Sequence, residues 1–341
     1  MHPHIKKILV LVLLTVTILA VPGASRAAET PMLPRGGFAT RPISVMIDNH
    51  SDARPQSGFD QAALVFEALA EGGITRFMVV YNADQTLPQV IGPVRSTRRY
   101  YAEWAAGLSA VHVHAGGSPE GLAIAQTNPK IIDADGLLRG TWSTFYRSTT
   151  NVIPHNLYTS GAQIVAYAAT KQPQPIAERQ ADGTYKPILD GGDYMGYLYR
   201  APTGLEGRGA GQKIRYSFLS RRTSADWAYD AGQNTYVRSV NGVIARDGTS
   251  KNAITATNLV VMEAPSALIS GDAKGRIELG SIGPGRAKIF QEGHEYDVTW
   301  RKDYTEGRLR FFYLDGVTEV PFVAGNAWIA VVPWIENVTV Q

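Results

Sequence analysis

Cysteine is absent from all 341 residues. That absence excludes acylation at a cleavage-site cysteine, and an exported chain of this composition has to fold without disulfides, by core burial alone. A transmembrane-length apolar run is also missing. The longest, Ile8 to Val21, is about fourteen residues against the roughly 20 needed to span a bilayer. No internal repeat and no low-complexity block stands out.

The apolar run sits in a targeting segment. Lys6 and Lys7 form its positive region and Ser25-Arg26-Ala27 its small-residue cleavage site, so residues 1–27 read as a signal peptide cut after Ala27. A retained N-terminal anchor is the alternative. Cleavage removes Lys6, Lys7 and Arg26 and no acid, taking Lys+Arg from 33 to 30 against 30 Asp+Glu. The mature chain is then formally neutral, with no stable membrane span, and lacks the basic excess that nucleic-acid binding needs. Expected localisation is the periplasmic or extracellular cell envelope.

Residues 28–40 are a Pro/Gly-rich linker. Residues 41–170 alternate strand and helix patterns, which implies a three-layer α/β domain. Its strands are Arg41–Asp48, Ile74–Asn82, a short Leu87–Ile91 and Ala110–Ala115. Its helices are 61–71 with Asp60 as cap, Arg98–Gly107, Pro119–Thr127 and roughly 159–170, while Asp133–Gly140 is a loop. Residues 171–213 form a Pro/Gly-rich linker or inserted lobe. Short strands separated by turn signals such as Asn241-Gly242 and Asp315-Gly316 then predict a mostly antiparallel β domain over 214–341.

The chemistry-bearing residues concentrate in Leu87–Glu120. Arg95, Arg98 and Arg99 fall within five residues, and guanidinium forks beside a helix N-terminus suit phosphate or carboxylate oxygens. The alternative is a buried ion network with Asp48, Glu67, Glu71 or Glu103. His112 and His114 share one strand face, a spacing seen in metal sites, with a third ligand to come from Asp48, His50 or His155; satisfied polar positions beside a cleft are the favoured reading. No metal ligand set is assigned. His155, in a loop before a helix, is a candidate general base, with packing of His155 and helix capping by Asn156 as the alternative. Glu67 and Glu71, at i and i+4 of the expected helix, are a candidate acid/base pair. Ser118 reads as a helix cap rather than a nucleophile, since GGSPE lacks the Gly-x-Ser-x-Gly spacing.

Taken in order, IDNH with ARPQSG, EGGITRF, GPVRSTR, HAGGSPE and PHNLY resemble the YerB-like family, the bacterial domain of unknown function 3048. The resemblance covers residues 41–160 closely, and NLVVMEA followed by AWIAVVP is similar to the family's separate C-terminal domain. Members are typically envelope lipoproteins, from which this chain departs in having no cysteine to acylate. The family brings no settled activity. What the resemblance implies is a shared polar pocket: Asp48, His155 and Glu67 as candidate catalytic groups, and Arg54, Arg76, Arg95, Ser96, Arg98, His114, Ser118 and Asn156 as ligand-binding ones. Over residues 74–125 the pattern is also similar to the LytR-CpsA-Psr envelope phosphotransferases, which would imply polyprenyl pyrophosphate as ligand and Mg²⁺ as cofactor. The expected function is recognition of an anionic cell-wall glycan or lipid precursor, with transferase activity if catalytic. A non-catalytic module docking an envelope partner protein through its β domain is the alternative, and a metal-dependent hydrolase the third reading.

Overall fold

A computed structural model describes residues 41–171, 176–179, 185–188, 196–218 and 224–341. The signal segment, the 28–40 linker and parts of 171–213 lie outside the described residues.

The N-terminal half contributes strands β1 (Ile43–Asp48), β2 (Leu64–Leu69), β3 (Thr75–Tyr81), β4 (Val111–His114) and β5 (Ile132–Asp135). Its helices are short: α1 (Arg99–Gly107), α2 (Pro119–Thr127) and α3 (Gly161–Ala169). It is therefore sheet-rich with few helices. In the C-terminal half, β6 (Lys213–Ser217), β7 (Ser224–Asp230) and β8 (Thr235–Val240) form the antiparallel centre of a second sheet. The remaining strands are β9 (Asn258–Glu263), β10 (Gly283–Gln291), β11 (His294–Lys302), β12 (Arg310–Phe312) and β13 (Ala327–Val332).

Those last five strands do not stand apart from the first five. One ten-stranded sheet runs β12-β11-β10-β9-β13-β2-β3-β1-β4-β5. Its seam is the parallel pairing of β2 with β13, with Leu64 opposite Ala327 and Ala68 opposite Val331. The two sequence halves thus share a backbone hydrogen-bond ladder. In the described part of 171–213, Tyr199–Arg200 pairs with Phe322–Val323, tying that stretch to the C-terminal half as well.

Two expected elements are different. Residues 61–71 are no helix: Leu64 to Leu69 form a strand buried on both faces, and Asp60 accepts from Asn252 instead of capping. A strand covered on both sides shows a continuous apolar run, which periodicity alone does not separate from a helix. Gly72 and Gly73, at φ 64° and 73°, turn the chain straight back into β3, a left-handed geometry that glycine adopts without strain. Within the expected loop 133–140, Ile132–Asp135 is strand β5, parallel to β4. Its two aspartates hide it from strand propensity because they serve as hydrogen-bond acceptors for the neighbouring strand and turn.

The register sorts side chains to two faces. On one, Trp104 of α1 stacks on Phe66 at 4.7 Å between ring centres. On the other, Trp328 of β13 meets Trp227 of β7 at 5.1 Å and Phe77 at 5.4 Å. The main sheet is therefore covered by α1 on one face and by the second sheet on the other.

Candidate functional site

Strand β1 ends where the polar residues gather. Asp48 lies opposite Arg76 of β3 in the register, and both face the α1 side. Asn49, one residue on, turns to the second-sheet side and donates to Thr75 Oγ1 at 2.7 Å. Strand alternation thus splits the predicted site into two clusters back to back.

On the α1 side, Asp48 is almost fully buried. Its Oδ1 accepts the His50 amide at 3.0 Å, and its Oδ2 takes His155 Nδ1 at 2.7 Å and an ion pair to Arg95 Nε at 3.0 Å. Burial pushes the Asp48 carboxyl up, but the His50 amide, Arg95, His155 and Arg76 together hold it below its ordinary value of 3.8. His155 also stacks on His50, with ring centres 4.6 Å apart. A carboxylate on Nδ1 fixes which ring nitrogen carries the proton and leaves Nε2 as the acceptor. Neither terminal nitrogen of Arg95 takes a hydrogen-bond partner among the described residues, and the side chain is 26% exposed.

The other two arginines of the GPVRSTRR stretch, Arg98 and Arg99, are committed elsewhere. Arg98 Nε donates to Glu71 Oε2 at 3.1 Å, and Arg76 donates to Ser96 O at 2.7 Å and faces the same Glu71. Arg99 turns away to Glu103 and the carbonyl of Leu279, both at 2.8 Å. The expected clamp of Arg95 with Arg98 is therefore corrected: Arg98 is buried against a carboxylate, and of the two only Arg95 has donors to spare.

On the second-sheet side, Glu67 is buried and receives Arg238 at 2.9 and 3.1 Å, Thr75 Oγ1 at 3.1 Å and Trp328 Nε1 at 3.2 Å. Every contact is structural, so the acid/base pairing with Glu71 is corrected too; the two carboxylates sit on a strand and in a turn, each with its own arginine. Arg54 is held by Asn49, through Nε and Nη2 to Oδ1 at 3.3 and 3.1 Å, and no described carboxylate pairs with it. It lines a cavity of about 250 Å³ together with Asn49, His50, Thr75, Glu67 and Arg238. Gln56 completes the frame by donating to Asn49 Oδ1 at 3.1 Å.

The remaining predicted residues are supports. His114 has both nitrogens engaged, Nε2 with Asp133 at 2.7 Å and Nδ1 with Gly116 O at 3.0 Å, which leaves no ring nitrogen for a ligand. His112 is likewise filled by Ser44 and Thr97 hydroxyls, each at 2.9 Å, and burial lowers its pKa well below 6.5. Ser118 caps α2 through the Gly121 amide, as its position before Pro119 predicts. Ser96 Oγ donates to Ala115 O, while Asn156 binds Arg147 and Ser148 and closes the loop that carries His155. One member escaped the sequence reading: Arg238, far away in a β hairpin, which no local signal ties to Glu67.

Among the described residues, His50, Asp52 and His155 are the group able to hold a metal ion, with ligand atoms within 4.8 Å of one another. Imidazole donors suit zinc better than Mg²⁺, and the neighbouring Arg54 and Arg95 disfavour any cation.

Comparison with known proteins follows the same two halves. The model described as "Protein of unknown function (DUF3048) N-terminal domain" matches residues 30–174, and the one for its C-terminal domain matches residues 214–329. The chain is 30% identical over 335 residues to the Bacillus subtilis protein named "Putative lipoprotein YerB", covering 94% of this chain and 91% of that one. The crystal structure of the Bacillus subtilis YerB protein superposes with a TM-score of 0.72 at 28% identity, over 90% of this chain and 94% of that one. These matches do not show the similarity to the LytR-CpsA-Psr phosphotransferases that was expected over residues 74–125.

Proposed function

This chain belongs to the DUF3048 family, and from that premise we propose that it works in the cell envelope by binding a phosphorylated or carboxylated ligand at the end of β1. The relative's description as a lipoprotein and the signal-like N-terminus support the location. The observation that carries the binding reading is a charge imbalance. The two linked clusters hold five guanidinium groups (Arg54, Arg76, Arg95, Arg98 and Arg238) against four carboxylates (Asp48, Asp52, Glu67 and Glu71). Arg54 and Arg95 are the ones with donors left over. Cationic excess in a half-buried setting is costly unless an anion completes it, and the arginine fork supplies paired donors for oxygens.

Beside Arg95, the Asp48–His155 pair presents an imidazole whose Nε2, opposite the carboxylate-bound Nδ1, is the atom that would take a proton from a ligand hydroxyl or water. Binding and proton transfer are thus adjacent, which is the arrangement a transferase or hydrolase of anionic esters requires. Thermal-shift screening of the chain from residue 28 against polyprenyl phosphates and muropeptides tests the reading. A native-state ligand must raise the midpoint by mass action. The expected result is a rise with at least one phosphorylated or carboxylated compound that disappears in Arg95→Ala. A rise that survives that substitution would refute the assignment.

A further inference from the structure

The end of the main sheet that carries Asp48 also carries an unusual set of exposed apolar tips. Strands β1, β2, β4, β5, β9 and β13 are mutually parallel through the pairings that join them, or are linked through antiparallel β3, so their C-terminal ends share one edge. From that edge project Ile74 in the β2–β3 turn, Leu137 and Leu138 after β5, Trp142 on the turn that follows, and Val152 and Ile153 in the loop before His155. Leu137, Trp142, Val152 and Ile153 are 61%, 60%, 65% and 70% exposed. Monomeric soluble proteins seldom gather such side chains on neighbouring loops.

Their anchorage places them around the anion site. A Cβ added at Gly116 would lie 2.8 Å from Leu137, so Leu137 covers the turn whose Ala115 amide binds Arg95 O. Thr141 Oγ1 ties the Trp142 turn to the carbonyl of Asp135 at the end of β5. Across the site, Asn151 donates to Asp52 O, and the His155 amide donates to Val152 O. Arg95 and His155 therefore lie between two apolar lips.

Charge decides what covers them. Residues 136–155 contain Arg139 and Arg147 and no carboxylate, and neither arginine has an ion-pair partner among the described residues. Tryptophan, aliphatic tips on separate loops and arginines without a carboxylate partner are the combination that enters the headgroup boundary of an anionic bilayer.

We propose that this edge docks on an anionic membrane surface, with the loops at 137–142 and 152–153 inserted between headgroups. The docking stands on the loops alone. That the site's ligand is then the phosphate of a membrane-held lipid rests on the anion-binding reading above.

Flotation with vesicles tests it, using the chain from residue 28 so that the apolar run at 8–21 is absent. The wild type is expected to float with phosphatidylglycerol-containing vesicles and more weakly with phosphatidylcholine alone. A Leu137→Ser/Val152→Ser/Ile153→Ser variant is expected to lose roughly tenfold or more in partitioning, with an unchanged melting midpoint. Leu314→Ser/Val317→Ser is the control, since those residues are 71% and 81% exposed in the turn after β12, at the opposite end of the sheet. Arg95→Ala should still float, which separates failure of the anion site from failure of the docking face. No flotation with either vesicle, or equal loss in both serine variants, would overturn the proposal and leave a protein partner as the reading of the patch.

Discussion

Replacing Glu67 by alanine distinguishes a structural carboxylate from a catalytic one. Glu67 and Arg238 are 2% and 4% exposed, and two hydrogen bonds join them. The guanidinium also lies over Trp328, with its carbon 5.0 Å from the ring centre. Removing the carboxylate strands a buried cation at the meeting of β2, β13 and the second sheet, and breaking such a pair costs about 3–5 kcal/mol. In a domain of this size each kcal/mol moves the midpoint by about 2 °C, so the melting temperature should fall by roughly 6–10 °C. Calorimetric or circular-dichroism melting reads it directly. The double variant Glu67→Gln/Arg238→Met should recover much of the loss, because neutral replacement of both partners leaves no buried charge uncompensated and the amide oxygen still accepts from Thr75 and Trp328. A Glu67→Ala protein that melts like wild type would refute this reasoning and return Glu67 to the catalytic candidates.

Three further outcomes follow from the site's surroundings. His112 is neutral in the fold while the unfolded ring takes a proton below 6.5, so the unfolded state binds more protons and stability falls as pH drops through that range. The slope is at most about 1.4 kcal/mol per pH unit; urea melts at about pH 7.5 and 5.5 should show it in the wild type and not in His112→Gln, and an identical slope in both would refute it. Asp48, held below 3.8, behaves oppositely in origin: its ionised form is stabilised by folding, and that contribution is complete above 3.8 and lost as pH falls through the lower folded value. The stability gap between wild type and Asp48→Asn should therefore persist from neutral pH down to about 4 and close below it; a gap that closes near neutrality would be inconsistent. Ser118→Ala should cost about 1 kcal/mol from loss of the α2 cap without altering anion binding, measured as a melting shift beside a titration; a loss of affinity would make Ser118 a ligand contact after all.

Much of the strand pattern was legible because half-exposed strands alternate. The segments Ser224–Asp230 and Thr235–Val240 show buried residues at every second position, as their sequences suggest. The central strands were less legible for the opposite reason. Leu64–Leu69 and Ala327–Val332 are buried throughout, and nothing local in LVFEAL or AWIAVV announces that they pair with each other across 260 residues of chain. The site was legible as a set of residue types and only partly as an arrangement. IDNH and PHNLY pointed to Asp48 and His155, which meet at 2.7 Å. The three arginines of GPVRSTRR looked equivalent in sequence, yet Glu71 claims Arg98 and Glu103 claims Arg99. Which arginine stays uncommitted depends on carboxylates brought in by tertiary contacts, and no spacing rule reports that.

The central claim, that Arg95 offers its free donors to an anion, is tested most directly by isothermal titration of pyrophosphate into the wild type and Arg95→Ala, with melting curves of both. The expected result is measurable binding by the wild type and an affinity at least about tenfold weaker in the variant, at a midpoint changed little because Arg95 is partly exposed. Equal affinity in the two proteins would contradict it, as would a variant that loses binding only because it no longer folds.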